Sequence, residues 1–239
     1  NARLREGNVA LEVDRPVLPT IAFDDWKAEL LQPLDEKGGE DIKDKPAPKF
    51  LELLDKESED QDTVIMTSFP RSGNTLLRAY LEKIMGLTSG SDCDITKKLN
   101  TDLMMMGLAG EGLVDKRVLV VKTHYPERYG KTLFYAERAI LLVRNPIDSI
   151  TSLYHMVCTG SHNRSISDDD FTKFPQMWSE YIQQDIGVWR DFHEFWLNAK
   201  IPRYIVRYED LVTNPEPTLR GLLAYIMNVP TIEGLLVEK

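Results

Sequence analysis

From residue 63 onward, short apolar runs alternate with stretches of helical period. Residues 63–68 are β-branched and apolar and predict a strand, which leads into Phe69-Pro70-Arg71-Ser72-Gly73-Asn74-Thr75. Leu76, Leu77, Tyr80, Leu81 and Ile84 then recur at helical spacing, with Gly86 as the stop. Residues 117–122 predict a second strand, ending in Thr123-His124-Tyr125-Pro126. Residues 139–143 predict a third, ending in Arg144-Asn145-Pro146, where Pro146 suits the first turn of a helix. Residues 203–208 predict a fourth, followed by a helix over residues 216–227. Apolar runs separated by helices predict an α/β fold whose parallel sheet is covered on both faces. In such sheets ligands collect beyond the carboxyl ends of the strands. Each predicted strand here runs into polar residues at that end.

The remaining segments have other textures. Residues 32–62 are dense in Lys, Glu and Asp and contain Gly38-Gly39 and Lys45-Pro46-Ala47-Pro48. A short strand over residues 9–13 and a short helix over residues 50–54 are expected within this charged extension. The chain therefore divides into an extension, residues 1–62, and an α/β domain, residues 63–239. A solvated extension is the plain reading of the first part, and a partner-docking arm the sharper one; the sequence does not separate them. Residues 159–170 read as a polar loop that can cover a site, with Ser161, Asn163, Ser165, Ser167 and three consecutive aspartates. A long helix over residues 176–199 follows, and its stripe of Trp178, Ile182, Ile186, Trp189 and Trp196 predicts a core face.

Charge narrows the partners. Twenty-nine basic residues against 38 acidic ones give a net charge of −9. A nucleic-acid binder needs a broad cationic face, which this balance opposes. A small anion needs only a nest of donors and a few cations, so it stays admissible. The apolar runs fall far short of the roughly 20 residues that span a bilayer. Membrane association would have to come from a segment outside this chain. The chain starts at Asn1 rather than Met, as expected of a processed form or an excerpt. Cys93 and Cys158 make neither a disulfide framework nor a zinc site. Asn163-Arg164-Ser165 fits a glycosylation sequon. A cytoplasmic location is expected ahead of the Golgi lumen, and the oligomeric state is open.

Three segments carry chemistry. At the first strand-to-helix turn, the backbone N–H groups of Ser72, Gly73, Asn74 and Thr75 can converge on an anion, helped by the helix dipole. Gly73 permits close approach, Ser72 and Thr75 offer hydroxyls, and Arg71 offers a fork that spans two oxygens. The pattern G-x-x-x-x-G-K-[ST] cannot be written over this turn, and its lysine is missing. Lys122-Thr123-His124 closes the second strand. A histidine there can act as general base on a hydroxyl, with Lys122 supplying charge near the same anion. A structural hydrogen bond is the competing reading of His124. Arg144 closes the third strand, and Ser152 lies about two turns into the next helix. The two could hold a second anionic group, apart from the first, unless Arg144 pairs with Asp148 instead.

In this order the blocks resemble the sulfotransferase family that uses 3′-phosphoadenosine 5′-phosphosulfate. Thr67-Ser68-Phe69-Pro70-Arg71-Ser72-Gly73-Asn74-Thr75 resembles the family's 5′-phosphosulfate loop. Val121-Lys122-Thr123-His124-Tyr125-Pro126 resembles the strand that bears its catalytic histidine. Leu142-Val143-Arg144-Asn145-Pro146-Ile147-Asp148, through Ser152, resembles its 3′-phosphate block, and Arg207-Tyr208-Glu209-Asp210-Leu211 its segment near the adenine. The resemblance covers residues 63–227. It implies a three-layer α/β/α domain with a central parallel sheet and P-loop nucleotide-hydrolase-like architecture. It also implies sulfuryl transfer from that donor to an acceptor hydroxyl or amine, by in-line attack.

Carried over by residue, Arg71, Ser72, Gly73, Asn74 and Thr75 would bind the 5′-phosphosulfate, and Arg144 and Ser152 the 3′-phosphate. Tyr208 would lie by the adenine. His124 would act as general base, with Lys122 and Arg71 stabilising charge on the sulfuryl oxygens and leaving phosphate. No metal is implied. The cytosolic branch has Lys where Arg71 stands and a Trp, stacked on adenine, where Leu76 stands. Its Gly- and Arg-rich C-terminal nucleotide loop is not visible before Lys239. The protein-tyrosine branch uses a Glu after the first helix as base, a neighbourhood that here holds Asp92 and Asp94. A catalytically silent module serving in binding or structure is the alternative reading. A phosphoryl-transfer enzyme would need Mg²⁺ and a Walker lysine, and a hydrolase a G-x-S-x-G elbow that is absent. Residues 89–112 and 159–175 are the expected acceptor loops, and their composition names no acceptor.

Overall fold

The apolar runs become strands of one parallel sheet. The structure is a computed structural model and describes residues 18–33, 51–55, 62–127, 132 and 134–238. Its first elements are β1 (Thr20–Ile21), α1 (Phe23–Leu30), β2 (Leu53–Leu54), β3 (Val64–Ser68), α2 (Asn74–Met85), β4 (Gly90–Ser91) and α3 (Lys98–Met105). There follow β5 (Val120–Thr123), β6 (Arg138–Val143), α4 (Pro146–Thr159), α5 (Asp168–Lys173), α6 (Pro175–Asn198), β7 (Arg203–Arg207), α7 (Tyr208–Thr213) and α8 (Pro215–Met227). The main sheet has the order β4–β5–β3–β6–β7. From β3 the chain moves to one side, through β4 and β5, and then returns past β3 to β6 and β7. The carboxyl end of β3 is thus the switch point, flanked by the ends of β5 and β6.

Alternation along β6 explains why it reads as unbroken apolar sequence. Ile140 and Leu142 join Val64 and Met66 in a core shared with Leu77 and Leu81 of α2 and Leu222 and Ile226 of α8. Ala139 and Leu141 point the other way, into a core shared with Ile150 and Leu153 of α4 and Phe192 and Trp196 of α6. Both faces of the sheet are therefore dry, and the fold is three-layered as expected. Gly86 ends α2 in the left-handed region at φ 69°, where its N–H reaches the Glu82 carbonyl. Asn145 caps α4, its side chain accepting from the N–H groups of Ile147 and Asp148, with Pro146 in the first turn.

The structure differs from the sequence reading in several details, among them β4 and α3, which lie within residues 89–112, expected as loop. Leu53–Leu54 is not helical but pairs in parallel with Thr20–Ile21, because Leu54 is drawn fully into the sheet core. Residues 168–173, expected as loop, form α5, started by a capping box between Ser167 and Asp170. Tyr208 begins α7 instead of closing the strand. Along α6, Trp196 is buried and Trp178, Ile182 and Trp189 pack against the core, but Ile186 is 38% exposed. The strand expected over residues 9–13 lies outside the described residues. Among the described residues no helix is long and apolar enough to cross a membrane.

Part of the segment ahead of residue 63 contributes to the core. Trp26 of α1 is buried, and its indole N–H donates to the Met85 carbonyl at 2.8 Å. Trp26→Ala is therefore expected to destabilise the domain by about 3–5 kcal/mol, the usual range for a buried aromatic. Urea unfolding of the variant measures this directly; a loss under 1 kcal/mol would mean that α1 is not docked in solution.

Candidate functional site

A cavity of about 700 Å³ opens at the carboxyl ends of the strands, lined by Lys122 of β5 and by residues of the segments that follow β3, β4, β5, β6 and β7. Arg71, Gly73, Asn74, Thr75, Lys122, His124, Arg144, Ser152 and Tyr208 all line it, and Ser72 is buried directly between Arg71 and Gly73. The sequence therefore named residues that the fold does bring together. The turn from β3 to α2 is tight. Arg71 has φ 65° and Gly73 φ 101°. A Cβ on residue 73 would sit 2.4 Å from the Tyr208 ring, so only glycine allows that ring to lie on the turn. No side chain caps α2, which leaves its first N–H groups for a ligand. The Ser72 hydroxyl and Arg144 Nε are buried without a hydrogen-bond partner among the described residues. Orphaned donors of this kind beside an uncapped helix start suit an anion.

The two guanidiniums lie close together. Arg71 Nε donates to the Ser152 hydroxyl at 3.0 Å, and its Nη2 to the His162 carbonyl at 3.1 Å. Its Nη1 lies 3.1 Å from His162 Nδ1, which must accept, since a guanidinium has no lone pair to offer. Arg144 Nη1 donates to the Arg71 carbonyl at 2.9 Å, and its guanidinium stacks over Tyr208, 4.4 Å from the ring centre. No carboxylate pairs with Arg144 among the described residues, so the Asp148 pairing is not formed. Burial and then the nearby Arg144 lower the Arg71 pKa. Two cations this close, with no anion between them, gain from binding one. Ser152 stands with Arg71 rather than alone with Arg144, so both cations and the hydroxyl share one wall of the cavity.

Lys122 and His124 line the same cavity. His124 Nδ1 lies 2.8 Å from the Ser68 carbonyl and donates to it, which makes Nε2 the basic nitrogen. Burial lowers the Lys122 pKa, and the Glu111 carboxylate partly restores it. Asp92 lines the same cavity; it is buried and accepts from the Thr123 hydroxyl at 2.6 Å. Burial raises its pKa against the opposing pull of Thr123 and Lys122. Asp94 also lines the cavity, with its carboxylate accepting from Thr96 at 2.7 Å.

A sequence profile described as the sulfotransferase domain matches residues 61–227. The chain belongs to the sulfotransferase domain family. A WSCD family member of Aedes aegypti is 32% identical over 207 residues, covering 80% of this chain and 61% of that protein. One from Drosophila pseudoobscura pseudoobscura is 32% identical over 173 residues, covering 72% and 52%. The chain thus spans about three fifths or less of the curated relatives it matches. A crystal structure of mouse sulfotransferase SULT7A1 complexed with PAP aligns at 18% identity and a TM-score of 0.46, over 71% of this chain and 59% of that one. That likeness is too loose to place side chains.

Behind the cavity of this sulfotransferase-family domain lies a polar network that no sequence motif announced. Arg78 of α2 pairs with Glu111, their side chains only 2% and 0% exposed. Arg78 also donates to the Ser89 hydroxyl at 2.7 Å and the Ser89 carbonyl at 3.0 Å. Ser89 in turn donates to Glu82 through its N–H at 2.9 Å and its hydroxyl at 2.6 Å. The Glu111 carboxylate also accepts from Ser91 Oγ at 2.9 Å and Cys93 Sγ at 2.7 Å. Arg78 occupies a helical position flanked by Leu77 and Leu81, and an arginine on an otherwise apolar face was the available signal. Nothing in the sequence pointed to Glu111. Among the described residues, no cluster of three or more His, Cys, Asp or Glu side chains could hold a metal ion.

The network also sets the reactivity of one thiol, Cys93. Burial, reinforced by the Glu111 charge, pushes the Cys93 thiol up to about 12, whereas Cys158 is exposed on α4. Iodoacetamide at pH 8 is expected to alkylate Cys158 and to leave Cys93 unmodified in the folded domain. Peptide mass mapping reads this, and modification of Cys93 first would contradict the buried, carboxylate-bound thiol.

Proposed function

We propose that the domain transfers a sulfuryl group from 3′-phosphoadenosine 5′-phosphosulfate to an acceptor hydroxyl or amine. The observation that carries this is one cavity in which an uncapped helix start, Arg71, Arg144, Lys122 and His124 converge. When bound, the donor supplies an activated sulfuryl group and a phosphate leaving group. The turn over residues 71–75 would hold the 5′ end through its N–H groups and the Ser72 and Thr75 hydroxyls. Arg144 and Ser152 would hold the 3′-phosphate, with the Arg144 Nε donor finding a partner there. Tyr208, which already carries Arg144 on its face, would lie beside the adenine. These residues fit an anionic nucleotide, because the cations outnumber the carboxylates on that wall of the cavity.

His124 Nε2 would take the proton of the acceptor, since the Ser68 carbonyl fixes the other nitrogen as N–H. Lys122 and Arg71 would stabilise the charge that builds on the sulfuryl oxygens and on the leaving phosphate. A second candidate base deserves a place: Asp92 lines the same cavity, and burial shifts its pKa toward the working range. Residues 1–62 would extend the catalytic domain of residues 63–239, with Trp26 of α1 and Leu54 of β2 packed into its core. The acceptor would enter between residues 89–112 and 159–175, whose Leu99, Asp102, Ser161 and His162 border a second cavity of about 510 Å³.

His124→Ala is expected to abolish transfer, by about 10²–10⁴-fold for a lost general base, while affinity for 3′-phosphoadenosine 5′-phosphate stays within a few-fold. Calorimetric titration and a transfer assay separate the two effects; survival of transfer in this variant and its loss in Asp92→Asn would reassign the base. Arg144→Ala is expected to weaken the bisphosphate by about 2–3 kcal/mol, the worth of a charge-assisted hydrogen bond, and to leave AMP nearly unchanged. Equal losses for the two nucleotides would remove Arg144 from the 3′-phosphate. Absence of binding by the unaltered domain would favour the silent-module reading.

A further inference from the structure

The Arg78–Glu111 pair is buried almost completely, and packing gives no reason for its charges. An apolar pair of similar volume commonly serves a fold as well or better, because two ions lose their water on burial. The pair instead lies against the reactive cavity. Arg78 and Cys93 line the cavity, and Glu111 has both oxygens engaged, one by Arg78 and the other by Ser91 and Cys93. Ser91 of β4 is the register partner of Lys122 on β5, so the two side chains leave the same face of the sheet side by side. The hydroxyl next to Lys122 is thus the one that grips Glu111. Lys122 makes no ion pair of its own among the described residues, and it lines the cavity.

We propose that Glu111 is a positioning residue for transfer: its clamped carboxylate is the counter-charge that keeps the Lys122 ammonium protonated inside the cavity, and Arg78 fixes that carboxylate in place. This rests on the sulfotransferase reading of the site, in which Lys122 must carry its charge. The groups facing Lys122 are Arg78 from α2, Asp92 and Cys93 after β4, Glu111 from the loop ahead of β5, and His162 from the loop after α4. Burial pulls the ammonium toward losing its proton and Arg78 repels it; Glu111 is its strongest attractive neighbour, ahead of Cys93 and Asp92. The pKa of Glu111 itself is lowered, because the Arg78 and Lys122 charges and the hydrogen bonds from Arg78 and Cys93 together outweigh its burial. Arg78 thus has two opposed effects on Lys122: it repels the ammonium directly, and it holds the carboxylate that attracts it.

The test reads Lys122 ionisation in the unliganded domain by competitive acetylation of lysine amines across pH, followed by peptide mass analysis. Glu111→Gln is expected to move the onset of Lys122 labelling to lower pH by about 1–3 units, the usual effect of removing a close opposite charge. If that variant does not fold, with Arg78 left buried and unpaired, the double variant Arg78→Met with Glu111→Gln carries the test. Its shift is expected in the same direction but smaller, because a repelling charge leaves together with an attracting one. Affinity for 3′-phosphoadenosine 5′-phosphate gives the second reading. In the folded variant it is expected to fall as pH rises from 7 to 9, while the unaltered domain keeps its affinity. In a Lys122→Met background, Glu111→Gln is expected to leave that pH dependence where it was.

Labelling of Lys122 that starts at the same pH in the unaltered and variant domains would overturn the proposal, since a merely structural pair would not move it. Failure of the unaltered domain to bind the bisphosphate at any pH would overturn the donor reading and the link to transfer, and would be recognised by its independence of Glu111.

Discussion

Burial of the central strands on both faces governs where charge can stand in this domain. Val64, Met66, Ile140 and Leu142 are dry on one side of the sheet, and Ala139 and Leu141 on the other. A charged side chain has no room there unless it reaches past the strand ends or brings its own partner. The consequence is a separation of chemistry from packing. Arg71, Lys122, His124 and Arg144 gather beyond or at the carboxyl ends, where the switch of strand order opens a crevice. The same constraint makes the turn after β3 tight, because the chain must leave a buried strand and start a helix within a few residues. Arg71 and Gly73 at positive φ are the local price of that geometry.

Charges inside the cavity depend on one another. Arg71 and Arg144 face a common space with no carboxylate between them among the described residues, and burial already weighs on the first. Lys122 is pulled toward neutrality by burial and held back by Glu111, which in turn depends on Arg78. Such a set is poorly satisfied without an anion on its open side and well satisfied with one. The arrangement therefore favours binding of a small, multiply charged ligand on physical grounds, in a chain whose net charge is −9. Overall charge says little about a local nest.

His162 shows how the two halves of the cavity meet. It accepts from Arg71 through Nδ1 and through its carbonyl, and it lines both the main cavity and the one beside α3. Burial and the adjacent Arg71 lower its pKa, which keeps the ring neutral and able to accept. The loop after α4 thereby touches the same arginine as Ser152. A polar loop expected only to lie over the site is in fact bonded to the turn after β3.

The sequence by itself determined that a parallel sheet would be covered on both faces and that polar residues would gather just past its strands. Apolar period follows from burial on one or two faces, and a polar residue after an apolar run marks the strand end whatever the partner strand is. That is why Arg71, His124 and Arg144 could be named before their positions were known, whereas Tyr208 is named through the family resemblance and opens α7 instead of closing a strand. The sequence did not show that Leu54 would leave a helix for a strand, since a two-residue pairing has no period to read. It did not show β4, for the same reason, and so could not place Ser91 beside Lys122. Arg78 and Glu111 lie 33 residues apart, and only the packing of α2 against the loop ahead of β5 joins them. Charge pairing over that distance leaves no local pattern, because its energy depends on burial and geometry that the chain acquires only on folding.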